Sequence, residues 1–102
     1  DPVTKEGATV AILNASGVSG YAQTKSKTIK QKGISVKAVA NAATPRTANV
    51  IVALNNSKPS TKAYLETYFK AAATTDKVNN PEAQNYDVDF VIILGSNGAT
   101  SN

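Results

Sequence analysis

The 102-residue chain has no cysteine and no histidine, and neither methionine nor tryptophan. Without cysteine there is no disulfide, no thiolate nucleophile and no cysteine metal site. Without histidine the commonest general base and zinc ligand is missing. The expectation is a protein that is not an enzyme and uses no metal and no cofactor. Redox compartment stays open, because a disulfide-free domain of this size suits either side of a membrane. No apolar run approaches the roughly 20 residues of a membrane span. The chain starts Asp1-Pro2 and lacks methionine, which leads to the expectation of an excised domain whose targeting or anchoring segments lie outside it.

Acidic residues are missing from one long stretch. None occurs between Gly7 and Leu65, where Lys25, Lys27, Lys30, Lys32, Lys37, Arg46, Lys58 and Lys62 all fall. From Glu66 onward the sign reverses, with Glu66, Asp76, Glu82, Asp87 and Asp89 against Lys70 and Lys77. The net charge of +4 therefore conceals a basic region suited to polyanions such as nucleic acid, anionic lipid or an anionic wall polymer. The plainer reading is a solvated lysine face. Aromatics are also few. The segment "NVIVAL" at 49–54 has none, so the aromatic platform on which RNA-binding sheets stack bases is absent and no nucleic-acid partner is expected.

What is present is a soluble single domain, 41% hydrophobic and 18% charged. Residues 1–7 read as linker, 8–95 as the domain and 96–102 as a flexible tail. Alternation predicts strands over 8–13, 34–39, 49–54 and 88–94. A helix is predicted from about 18 or 19 to 32, with Val18, Ala22, Ser26 and Ile29 inward and Gly33 as its left-handed cap. A second helix, from 58 or 59 to 73, carries the stripe Thr61, Leu65, Tyr68, Phe69 and Ala72, with Ser57 as its predicted N-cap.

The order β-α-β-β-α-β points to an α+β domain: a four-stranded sheet with two helices on one face, the ferredoxin-like or split-βαβ plan. Two details resist it. Val39 breaks the alternation of its strand, and the strands over 49–54 and 88–94 are apolar on both parities. Either a partly parallel sheet has one helix on each face, or the second face is covered by something outside the chain.

The stretch "LNASGVSGYA", 13–22, raises the question of a phosphate-binding loop. Ala15 stands where a dinucleotide fingerprint has its first glycine, and the acidic residue expected about 20 positions on is replaced by Val39-Ala40-Asn41-Ala42. A Walker A loop fails because Gly20 is followed by Tyr21. Asn14, Ser16 and Ser19 are turn and capping residues, and Gly17 and Gly20 permit positive φ. A helix start there could still hold an anion. The candidate ligand-binding residues are accordingly Asn14, Ser16, Gly17, Ser19 and Gly20, joined by Lys25, Lys27, Lys30, Lys32 and Lys37.

The run "VAILNASGVSGYA", a helix ending in "KGISVKAVANA", then "TANVIVAL", an amphipathic helix and "DVDFVIILG" resembles the C-terminal domain of LytR-type cell-envelope proteins. Leu13-Asn14, Gly17-Val18-Ser19-Gly20, Ala22, Gly33, Val36, Asn41-Ala42 and Leu94-Gly95 match that pattern, over about residues 8–95. Ala15, Tyr21 and Ile34 depart from it. The resemblance implies an extracytoplasmic accessory domain in a membrane-anchored parent, often beside a LytR-CpsA-Psr catalytic domain that transfers glycopolymer onto peptidoglycan. That catalytic part uses arginines and acidic residues, and this chain has only Arg46, so the activity is not carried over. The expected partners are a cell-wall polymer or another domain of the parent. The membrane would be reached only through an anchor elsewhere in the parent. A homodimer through an apolar sheet face is the alternative.

Overall fold

A computed structural model describes residues 1–99. The elements are α1 (Pro2–Glu6), β1 (Thr9–Asn14), α2 (Tyr21–Gln31), β2 (Ser35–Asn41), β3 (Val50–Ala53), α3 (Pro59–Phe69), β4 (Ala73–Thr74), a 3₁₀ helix (Pro81–Asn85), β5 (Phe90–Leu94) and α4 (Ser96–Ala99). The domain is α+β with a mixed five-stranded sheet of order β2-β1-β5-β3-β4. β1 is parallel to both β2 and β5, β3 is parallel to β4, and β3 meets β5 antiparallel.

This differs from the four-stranded ferredoxin-like plan. There the two parallel strands of each βαβ unit are split by a third strand. Here β1-α2-β2 and β3-α3-β4 each place their two strands side by side, and β5 joins the units. The two-residue strand β4 carries too little periodicity to be predicted, and without it the second unit is invisible.

The sheet is indeed partly parallel, but its two long helices share a face. Val10, Ile12, Ile51, Phe90 and Ile92 pack with Ala22 and Ile29 of α2 and with Leu65 and Phe69 of α3 in a single core. On the other face Ala11, Leu13, Val52, Val91 and Ile93 are 0–2% exposed. They are buried by Ala83, Tyr86 and Val88, from the 3₁₀ helix and the segment after it. The double-sided apolarity of the central strands therefore has its cover within the chain, and the apolar face that suggested docking or dimerisation is filled.

The irregularity at Val39 is a β-bulge. Val10 pairs with Val36 but Ala11 pairs with Ala38, leaving Lys37 as the extra residue. The slip returns Val39 to the helix-covered side with Val36, while Ala38 and Ala40 face the other core. On an outer strand a bulged lysine also discourages edge-to-edge pairing.

Residues 1–7, expected as linker, form α1 and a left-handed turn at Gly7 (φ 59°). Val3 joins the core, and the Glu6 carboxylate caps α3 from a distance: its oxygens accept from Ser60 N (2.8 Å), Thr61 N (2.7 Å) and Thr61 Oγ1 (2.7 Å). Ser57 is not the cap. Its N–H and hydroxyl both donate to Asn55 Oδ1. α2 begins at Tyr21, later than predicted, because Gly20 is left-handed (φ 79°) and the preceding residues are tied into a turn; Val18 is exposed. α3 ends at Phe69, and Ala72 is exposed. Lys70 follows with φ 56° and ψ 47°, a conformation that costs a side chain roughly 1–2 kcal/mol. Within the predicted tail, residues 96–99 are helical; residues 100–102 lie outside the described residues.

Candidate functional site

The parallel relation of β1, β2 and β5 brings their carboxyl ends to one edge of the sheet, where antiparallel β3 contributes its amino end. In open sheets, crevices outside strand carboxyl ends are favoured ligand positions. Two cavities open here. The first, about 540 Å³, is lined by residues 14–20, by Asn41-Ala42-Ala43, by Pro45-Arg46-Thr47 and by Ser96. The second, about 490 Å³, runs between the two long helices and is lined by Tyr21, Lys25, Asn49, Tyr68 and Lys70, among others. Among the described residues no carboxylate lines either.

All five predicted loop residues, Asn14, Ser16, Gly17, Ser19 and Gly20, line the first cleft. Its side-chain polarity is largely spent internally. Asn14 Oδ1 accepts from Ser16 N (3.0 Å) and Ser16 Oγ (2.6 Å), Asn14 Nδ2 donates to Val18 O, and Ser16 Oγ accepts from Val18 N. Asn14 is thus the organiser of a turn, and Gly17 and Gly20, both at φ 79°, let the chain leave β1 and enter α2. Gly20 supplies no capping side chain to α2. The far wall is stitched on by backbone: Ala42 N donates to Asn14 O, Arg46 N to Ala15 O and Ser96 N to Arg46 O. The Arg46 guanidinium points its donors to Asn80 Oδ1 (2.7 Å), Asn79 O (3.1 Å) and Glu82 (3.6 Å). It anchors the 3₁₀ segment and brings no free cation to the cleft.

None of the five predicted lysines lines that cleft. Lys27 and Lys30 are exposed on α2, and Lys37 is the exposed bulge residue of β2. Lys32 is paired with Asp1 (3.0 Å) and lies 5.2 Å from the Tyr64 ring centroid. Lys25 enters the second groove, with Nζ 5.4 Å from the Tyr21 ring and 5.3 Å from the Tyr68 ring, and 3.5 Å from the Tyr68 hydroxyl. Tyr68 in turn stacks on Tyr64 (5.8 Å, 8°) and meets Phe69 edge-on. A seam of cations and rings, running Tyr21, Lys25, Tyr68, Tyr64 and Lys32, therefore joins α2 to α3.

The floor of this groove is Asn49. Its Nδ2 donates to Phe69 O at the end of α3 (3.1 Å), and its Oδ1 accepts from Gly95 N at the end of β5 (2.9 Å). Gly95 itself has no room for a side chain, since a Cβ would lie 2.4 Å from Thr47 O and 2.5 Å from Ala48 O. Reading the sequence missed Tyr21, Asn49, Tyr68 and Lys70 as groove residues. Tyr68 was visible as a core-stripe position, but the facing of two helices over one sheet face is what brings the four together.

Among the described residues no group of three acidic side chains converges as a metal site, and no helix is long and apolar enough to cross a membrane. Comparison with curated proteins and with solved structures gave no match. The family model described as LytR cell envelope-related transcriptional attenuator matches residues 7–97. That span runs from the left-handed turn at Gly7 through the strand-to-helix loop at 14–20 and past Gly95, and on this match the chain belongs to the LytR C-terminal family.

Proposed function

We propose that this cell-envelope domain is a non-catalytic, extracytoplasmic accessory module of a membrane-anchored parent, and that it binds anionic cell-wall glycopolymer or peptidoglycan. The observation that carries the reading is the acid-free stretch from Gly7 to Leu65, which supplies nearly all of the first cavity's lining and Tyr21, Lys25, Ala48 and Asn49 of the second, with no carboxylate among the described residues of either. A polyanion approaching that edge meets lysines, hydroxyls, amides and backbone N–H groups. General acid–base work is not supported by these walls, which hold no histidine, cysteine, aspartate or glutamate. The alternative of docking through an apolar sheet face has lost its motive, since Val52, Val91 and Ile93 are covered by the chain's own segment.

Co-sedimentation with insoluble wall sacculi tests this. The domain is expected to pellet with sacculi that retain their anionic polymer and to be released by salt. If it stays in the supernatant with both intact and polymer-stripped sacculi, the reading is wrong.

A further inference from the structure

The groove between α2 and α3 has features that helix packing alone does not require. Lys25, on α2, and Lys70, just past the end of α3, both line it. Among the described residues neither has a carboxylate within 4 Å, whereas Lys32 and Arg46 do. Lys25 is held half-buried between two tyrosines, so its ammonium is fixed in place rather than waving in solvent. Lys70 is the only non-glycine with positive φ among the described residues. It stands where a helix end favours glycine, and backbone strain retained at a cavity wall is a pointer to function. The volume of about 490 Å³ falls within the roughly 300–1,000 Å³ of ligand pockets.

Resting on the reading above that the domain binds an anionic cell-wall glycan, we propose that this groove, and not the loop at 14–20, is where the glycan's oxyanion is held. Lys25 and Lys70 would contact a phosphate or carboxylate from two sides, with the tyrosine hydroxyls as further donors and the sugar lying along the groove. The two ammonium groups then gain the counter-charge that the described residues do not give them. If Lys70 merely complements the carboxyl end of α3, no ligand binds here.

The test is titration of the isotope-labelled domain, at low salt, with three probes followed by amide shifts. These are an oligomer of glycerol phosphate, a uronic-acid hexamer and a neutral hexamer of N-acetylglucosamine. One or both anionic probes should move amides around Lys25, Asn49 and Lys70, and which of them binds tells phosphate from carboxylate. Lys70→Gly should melt at or above the wild-type temperature, because glycine relieves the φ of 56°, yet bind about five-fold more weakly. Lys25→Met should weaken binding at least as much, and Lys27→Met, on exposed α2 surface, should change little. Binding that maps only to residues 14–20, that survives Lys70→Gly undiminished, or that is as strong for the neutral hexamer overturns this proposal and leaves wall binding standing. If no probe binds while sacculi still retain the domain, the groove is likewise not the site. If sacculi do not retain it either, both readings fall.

Discussion

The carboxylate of Glu6 accepts hydrogen bonds from both the N–H and the hydroxyl of Thr61, each at 2.7 Å, across a sequence separation of 55 residues. A residue in a segment that looks like linker thus caps a helix that lacks a capping side chain of its own. Lys58 Nζ closes the arrangement by donating to Glu6 O at 2.7 Å.

Acid should therefore unfasten this end of the domain. Burial pushes the Glu6 carboxyl up, but the Thr61 hydroxyl, the Ser60 and Thr61 N–H groups and the Lys58 charge outweigh it and hold the group below its ordinary 4.5. Asp89 is likewise raised by burial and lowered more strongly by Asn55, by the N–H and hydroxyl of Thr9 and by Lys58. For a carboxylate with a depressed folded value, the stability contribution is fully present above the unfolded value and is lost as pH falls through the folded one. Thermal melts should be flat above about pH 5 and fall progressively below about pH 4. Glu6→Gln should melt lower at neutral pH and lose part of that acid slope. A slope identical to wild type would mean that the cap contributes nothing to stability.

Gly95 is fixed by sterics and not by φ. The carbonyls of Thr47 and Ala48 occupy the space of its missing Cβ, so Gly95→Ala should cost about 3 kcal/mol, read as a fall of about 10–20 °C in melting temperature. Gly17→Ala has open space and pays only for its φ of 79°, about 1 kcal/mol. The ranking Gly95 well above Gly17 is the checkable outcome.

The covered second face gives another prediction. In a sheet with one wet face, a polar residue would be welcome at Val91. Here Val91 is 0% exposed beneath the segment that carries Ala83 and Val88, and Val91→Asn should cost about 2–3 kcal/mol. Urea denaturation of this variant reads it directly, and a neutral result would mean that the 3₁₀ segment does not stay docked.

Much of this fold was legible from local chemistry. Strong periodicity marked the two long helices and four of the strands, and Gly33 ended α2's region as predicted, with φ 98°. What failed was non-local. The apolarity of Val91 and Ile93 was visible, but a 3₁₀ turn of polar and small residues, "PEAQN", has no period by which to be recognised as a lid. Strand order could not be read either, because β4 is two residues long and β-α-β-β-α-β is compatible with more than one pairing. In the site, turn chemistry made Asn14, Ser16, Gly17 and Gly20 legible as one loop. The lysines were legible only as charge, and their separation follows from three-dimensional accidents: the bulge at Lys37, the Asp1 partner of Lys32 and the tyrosines around Lys25.

Asn49 separates the stability of the groove from its charge. Its amide joins α3 to β5, donating to Phe69 O and accepting from Gly95 N, and both bonds are lost in Asn49→Ala, at about 2 kcal/mol. Asn49→Asp keeps an acceptor for Gly95 N but turns a carboxylate toward a helix carbonyl and toward the negative end of α3, where like sign is unfavourable. Lys25 and Lys70 line the same groove without a salt-bridge partner among the described residues and offset that repulsion, so the aspartate should destabilise no more than the alanine. It should also abolish anion binding in the groove, because it introduces a carboxylate where the described lining residues have none. Melting curves of the two variants, set against amide shifts with the anionic probes, check both halves. An aspartate variant less stable than the alanine would show that repulsion from the Phe69 carbonyl outweighs attraction from the two lysines.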